Sequence, residues 1–165
     1  QQPATSNQQP ATSNQFLMPI TIRKATEQDF RAIYALLYEF AVFQKTPERL
    51  FNSVEQMEQD KDLFQCFVAE DSNDGIVGFA SYFFTYYSWS GKGIYLDDLY
   101  VTTQYRGQQI GKRLLHAVIE FGKAHGCKKL RWQVSKWNEP AIGFYRTMGA
   151  VTDDIEINCD LDLRN

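Results

Sequence analysis

Tyr95 to Lys112, YLDDLYVTTQYRGQQIGK, is the stretch whose reading decides the fold. Its first half is an apolar, aromatic run with two adjacent carboxylates, Asp97 and Asp98, at its centre. Such a run reads as a strand. A short polar turn follows, and then a glycine-bearing loop that opens a helix with Ile110, Leu114, Ala117, Val118 and Phe121 on one face. The first backbone N–H groups of a helix lack partners, and the macrodipole favours negative charge there, so a strand running into a helix start suits an anion. Gly107 and Gly111 let the backbone come close to a ligand with no Cβ in the way, and Arg106 and Lys112 bring positive charge to the same end. A pyrophosphate fits such a place, with the two carboxylates just upstream of it.

Outward from this stretch the chain reads as alternating elements. Ile20 to Arg23 is a short strand. Thr26 and Asp29 form a capping box for a helix carrying Phe30, Ile33, Leu36, Leu37 and Phe40. Thr46-Pro47 starts a second helix, which Ser53 and Gln56 restart. Gln65 to Glu70 and Ile76 to Tyr87 are strands joined by DSNDG, a hairpin turn. Ile94 to Thr102 is the next strand. The long helix spans Gln109 to His125 and ends at Gly126. Lys129 to Val134 is a strand, Glu139 to Met148 a helix, and Ala150 to Asp162 one or two closing strands. The alternation after residue 94 implies a parallel crossover in a mixed α/β sheet.

The 165 residues suffice for one domain with a substantial core, and 44% hydrophobic and 15% aromatic content point to a globular chain. A formal charge of -3 argues against a general affinity for nucleic acid. No apolar run approaches the ~20 residues of a membrane helix, and no secretory signal is expected. Cys66, Cys127 and Cys159 lie far apart, which predicts reduced, buried thiols in a cytoplasmic protein and no metal cluster. His116 falls on the solvent face of its helix and His125 in a last turn, neither at metal-ligand spacing. The heptapeptide QQPATSN is written twice over residues 1–14. Residues 1–17 are expected to lie outside the fold, Met18 reads as a natural start, and 18–165 form the domain.

The glycine loop fails the phosphate signatures it first suggests. Three residues separate Gly107 from Gly111 where a Walker loop needs four, and Arg113 stands where a Ser or Thr would hold magnesium. The dinucleotide spacing is absent too. A turn whose glycines only satisfy backbone geometry stays open as the bland alternative.

YRGQQIGKRLL resembles the acyl-CoA pyrophosphate loop of the GNAT superfamily of N-acetyltransferases, Arg/Gln-x-x-Gly-x-Gly/Ala, with Gln109 where the inner glycine stands. WNEPAIGFYRTMGA, from Trp137 to Ala150, resembles the Asn-x-x-Ala-x-x-Phe-Tyr-x-x-x-Gly segment of the same fold. Within the superfamily FASYFFTYYSWSGKGIYLDDLYV is similar to the diamine acetyltransferases, the spermidine/spermine type and, more closely, the thialysine type. Tyr87 stands before Ser88-Trp89 where the spermine type has an acidic residue, Phe43-Gln44 where those enzymes show an aromatic followed by Glu, and Asp97 where they have Glu.

The resemblance implies a mostly antiparallel, mixed sheet of six to seven strands flanked by about four helices, acetyl-CoA as co-substrate with no metal, a small-molecule amine as acceptor, and a homodimer. It places Leu99, Tyr100, Val101, Arg106 to Lys112 (with Gln108, Gln109 and Ile110), Asn138 and Ala141 on the cofactor. The chemistry needs a neutral nitrogen, whereas an alkylamine has a pKa of ~10.4. Asp97 and Asp98 are the candidate bases. On a regular strand they face opposite sides, so one reads the acceptor's charge and the other is structural; the superfamily's strand carries a bulge that frees backbone groups. A backbone N–H near Leu99 is the candidate donor to the thioester oxygen. Tyr145 matches the general-acid tyrosine, against a core tyrosine by periodicity alone. Trp89 and Tyr87 are either core or a wall for the amine through cation–π contact. The rival readings are a protein or peptide N-acetyltransferase and a non-catalytic acyl-CoA-binding domain.

Overall fold

The computed structural model describes residues 20–153, 158–159 and 161–162. They form two compact units, one running to Leu130 and one starting at Arg131. The QQPATSN repeat lies outside the described residues.

The first unit is built on a sheet of order β1-β2-β3-β4-β5. Strand β1 (Thr21–Lys24) pairs antiparallel with β2 (Gln65–Asp71), β2 with β3 (Gly75–Tyr87), and β3 with β4 (Gly91–Val101). The DSNDG turn forms as read: the Asp71 carboxylate accepts from the Asn73 and Asp74 N–H groups, and Gly75 takes the positive φ of 74°. Strand β5 is short, Leu130–Arg131. It is reached through the helical crossover α3 (Ile110–Ala124), and the sheet is mixed.

Helix α1 (Phe30–Phe43) covers one face of the sheet. Phe30, Ile33 and Leu36 pack with Met57, Cys66, Val68, Phe79 and Tyr100 in one buried cluster. Helix α3 covers the other, where Ile110, Leu114, Leu115 and Val118 are buried and Phe121 meets Tyr82 at 5.1 Å and Phe67 at 5.9 Å. Each fully buried Leu or Ile contributes about 1.5–3 kcal/mol of transfer free energy. Leu115, absent from the predicted face of α3, completes a wider apolar stripe than a single heptad column requires. Helix α2 (Val54–Gln59) starts where Ser53 accepts the Gln56 N–H at 3.1 Å.

In the second unit α4 (Glu139–Thr147) is capped by Asn138, whose side-chain oxygen accepts the Ala141 N–H at 3.3 Å. Gly149, at φ 85°, ends it, with its N–H bonded to the Arg146 carbonyl at 3.0 Å.

Several expectations are corrected. Five strands are present among the described residues, not six to seven. Residues 151–153, 158–159 and 161–162 of the expected closing segment are irregular, and 154–157 and 160 lie outside the described ones. The strand expected over Lys129 to Val134 shrinks to two residues, because strand propensity is expressed only where a neighbour offers a ladder. Thr46-Pro47 yields a single 3-10 turn, since Leu50 turns extended before Ser53 caps the next helix. Of the three free cysteines only Cys66 is buried; Cys159 is exposed.

Candidate active site

Strand β4 is not regular where the carboxylates sit. Ala80 pairs with Leu99 and Tyr82 pairs with Leu96, so Ser81 alone faces Asp97 and Asp98. This is a β-bulge with its extra residue on β4. Tyr82 lies on the α3 face, against Phe121, so its partner Leu96 does too. Ser81, the next residue of β3, therefore faces α1, and the two aspartates opposite it share that side of the sheet. The expectation that they face opposite sides holds only for an unbulged strand. The Asp98 N–H donates to Ser81 Oγ at 3.1 Å.

The environment separates the two acids. Asp98 is half-buried, and desolvation, reinforced by the Asp97 charge, pushes its carboxyl up to about 7. Asp97 is also raised by desolvation while its side chain keeps an exposed surface. Among the described residues no ion pair involves either. Phe83 and Tyr95 stack beside them with ring centroids 5.1 Å apart, on the same face of the hairpin, and Phe83 remains partly exposed. Two residues farther along β4, Tyr100 places its hydroxyl 3.4 Å from a Glu39 carboxylate oxygen of α1.

Beyond Val101 the chain makes one 3-10 turn, Thr103–Tyr105, and enters the glycine loop. Gly107 takes φ 79°, and Gln109 takes φ 60° and ψ 12° as the N-cap of α3. No side chain caps that helix. A Cβ at Gly107 would meet nothing within 4 Å and one at Gly111 only the Val101 methyl at 3.9 Å. An open approach to uncapped N–H groups fits a phosphate group, the part of acetyl-CoA that the loop would hold. Gln108 and Lys112 are exposed, while Ile110 buries its side chain. Arg106 turns toward α1: its Nε donates to the Val101 carbonyl at 2.9 Å, and its guanidinium lies 4.8 Å above Phe43 and 5.3 Å above Tyr100.

The second unit holds Tyr145 in a buried setting, 5.0 Å from Trp132 and 5.2 Å from Phe144 by ring centroids. Ala141 and Asn138 meet at the start of the same helix. Among the described residues no group of three or more His, Cys, Asp or Glu is placed to hold a metal ion.

Residues 28–150 match the acetyltransferase (GNAT) family. The chain belongs to that family. It is 34% identical over 142 residues to a thialysine N-epsilon-acetyltransferase of Sus scrofa, covering 79% of this chain and 84% of that protein. It is 39% identical over 98 residues to a human spermidine/spermine N(1)-acetyltransferase-like protein 1, covering 56% of this chain and 14% of that one. An aminoglycoside acetyltransferase from an uncultured soil metagenomic sample has the same fold at a TM-score of 0.73 and 23% identity, covering 88% of this chain and 97% of that one. This GNAT protein is an acetyl-transferring enzyme.

Within the GNAT domain the fold joins Asp97, Asp98, Leu99, Tyr100 and Val101 on one strand that runs directly into the Arg106 to Lys112 loop. Tyr87 is stationed higher on the hairpin, its ring against Gly93, and Trp89 is fully exposed at the tip. Tyr87 lies six positions along β3 from Ser81, roughly 20 Å of strand. Sequence reasoning missed Ser81 and the Phe83–Tyr95 pair. Their placement depends on the register between β3 and β4, which the sequence of neither strand carries alone.

Proposed function

We propose that this enzyme transfers acetyl from acetyl-CoA to a primary amine of a diamine, polyamine or thialysine/lysine-like molecule. The observation that carries the reading is the bulge-paired Asp97 and Asp98, with the Asp98 carboxyl pushed up to about 7 and no cation beside it among the described residues. A carboxylate at that value accepts a proton near neutral pH, as an ammonium acceptor requires. Asp97 holds the acceptor's charge, and Phe83 and Tyr95 flank its alkyl chain. Tyr87 and Trp89 are placed to meet only a long acceptor.

The other roles rest on the motifs. The loop from Arg106 to Lys112 takes the pyrophosphate on backbone N–H groups, the Leu99 N–H donates to the thioester oxygen as charge grows there, and Tyr145 gives a proton to the departing sulfur. Bound acetyl-CoA supplies the activated acetyl group. Asn138 has its side-chain oxygen engaged by Ala141 and offers its amide N–H groups to the cofactor arm. Gln109 keeps the left-handed backbone a glycine would adopt, which supports a working loop over a non-catalytic domain. A homodimer in the cytoplasm remains part of the proposal.

Acetyl-CoA-dependent thiol release decides the reading. Thialysine, lysine, putrescine, spermidine and a peptide with a free amino terminus are compared. Turnover with at least one small amine is expected. Turnover confined to the peptide, the reading that the exposed Asp97 would favour, or none with any amine, overturns it.

A further inference from the structure

Three polar side chains are buried among the described residues: Asp29, Asp71 and Ser81. Asp29 is held by Arg23, and Asp71 closes the β2–β3 turn. Ser81 is 4% exposed and sits in the middle of β3, where an apolar residue would serve the core better. Its hydroxyl meets the backbone of the neighbouring strand: Ser81 Oγ accepts the Asp98 N–H at 3.1 Å, at the one point where two residues of β4 face one of β3.

A bulge leaves a backbone group without its ladder partner, and a buried N–H without an acceptor is unfavourable. An alternative is always at hand, because a strand that regains its regular register moves one of two adjacent side chains to the opposite face. Here that face is the one packed against α3.

We propose that Ser81 is a positioning residue, whose hydroxyl pins the bulge and thereby keeps Asp97 and Asp98 on one face of the sheet. The proposal deepens the acceptor site proposed above and rests on it for the consequence in turnover. Its structural part stands independently. The titratable groups around Asp98 are Asp97 beside it on β4 and the Cys66 thiol on β2, which pairs across the sheet with Ser81. Glu39 reaches Tyr100 from α1. A carboxylate without a partner is unfavourable on the face packed against α3, so a loosened bulge admits water to the Asp98 N–H instead of regaining its register, and the hydrated Asp98 holds its proton less tightly.

Ser81→Ala and Ser81→Thr test this in the full chain by nuclear magnetic resonance, following the Asp98 amide by hydrogen exchange and its carboxyl by titration. In Ser81→Ala the amide is expected to exchange at least about 10-fold faster. The carboxyl midpoint is expected to fall toward the ordinary carboxylate range. Ser81→Thr, which keeps the hydroxyl, is expected to restore both. Turnover of the amine should follow: kcat/KM falls about 10-fold with the pH profile displaced to lower pH and the acetyl-CoA KM unchanged. If the amide and the midpoint stay as in the wild type in Ser81→Ala, the proposal is wrong. If both move as expected while no small amine is turned over by the wild type, the acceptor reading fails and the positioning role stands. Should Ser81→Ala not fold, Ser81→Cys keeps the volume with a weaker acceptor and must show the same two changes; parity with the wild type overturns the proposal.

Discussion

The chain passes from a strand into a long helix at two comparable places, and it completes one while leaving the other open. Between β1 and α1, the Asp29 carboxylate accepts from both terminal nitrogens of Arg23 at 2.8 Å and from the Thr26 N–H at 2.7 Å. The Arg23 guanidinium holds that carboxyl down at about 2. Arg23 also reaches Glu70 at 2.7 Å. In the other passage, Asp98 within β4 meets no cation among the described residues and rises to about 7, and α3 begins after Gln109 without a side-chain cap. The residue type is the same and both side chains are withdrawn from water. What differs is whether the charge has a partner in the fold. The first passage uses its polar groups to hold the domain together; the second leaves its carboxylate and its helix start without such partners among the described residues, as the proposed acceptor and cofactor sites require.

The largest effect that can break this contrast is on turnover. Asp98→Asn keeps the shape and removes the proposed base, so turnover with a small amine is expected to fall by roughly 10²- to 10⁴-fold, and the acidic limb of the pH profile near 7 should vanish. An unchanged acidic limb would place the base elsewhere. Tyr145→Phe tests the other proton of the same reaction: a fall of similar size, roughly 10²- to 10⁴-fold in kcat, with acetyl-CoA affinity unchanged. Equal turnover by Tyr145→Phe and the wild type from pH 6 to 9 would return that ring to its packing role between Trp132 and Phe144.

Stability separates the two passages with opposite signs. Asp29 is lowered from 3.8 to about 2, so its ion pair stabilises the fold above the unfolded value and this contribution is lost as pH falls from about 4 through about 2. Asp29→Asn should therefore cost about 2 kcal/mol at pH 7. Asp98 is raised from 3.8 to about 7, so the folded chain binds its proton more tightly; the penalty is absent below about 4, grows up to about 7 and is complete above that. Asp98→Asn should therefore stabilise the protein by about 2–4 kcal/mol at pH 8 and by nothing at pH 4. Urea unfolding at pH 4 and pH 8 reads both. Two variants shifting in the same direction at pH 8 would remove the contrast.

Local signals make much of the fold legible. The cap at Ser53, the DSNDG turn and the apolar stripe of α3 each depend on residues within a few positions of one another, and each forms as read. The Thr26–Asp29 box also forms, yet its stronger tie is to Arg23 on a neighbouring element, which spacing within the box does not reveal. The paired carboxylates are legible as YLDDLYV, but their shared face is not. That is a property of the register between β3 and β4, and one extra residue inverts the alternation from which a strand's faces are read. The same register brings Phe83 over Tyr95 and leaves Trp89 at the hairpin tip. The short β5 has the same cause: the run KLRWQV carries strand propensity, and propensity does not choose a partner.

The smallest effect sharpens the comparison at its helix starts. Asp29 precedes α1 with φ -85° and ψ -12°, an ordinary right-handed conformation, and its side chain is fully bonded. Gln109 precedes α3 in the left-handed region, with φ 60° and ψ 12°, and its exposed side chain caps nothing. A non-glycine residue held there costs roughly 1–2 kcal/mol. Glycine removes that strain but returns freedom to the unfolded chain, which offsets about 0.4–1 kcal/mol. Gln109→Gly is therefore expected to raise stability by about 0.5–1 kcal/mol, a small upward shift in the thermal midpoint. The loop keeps its path, because the backbone angles glycine prefers are those already present, so acetyl-CoA binding should hold or tighten. A drop in the midpoint would mean that the Gln109 side chain supports the loop. Weakened acetyl-CoA binding would mean that it contacts the ligand, and this helix start would then be no more open than the one at Asp29.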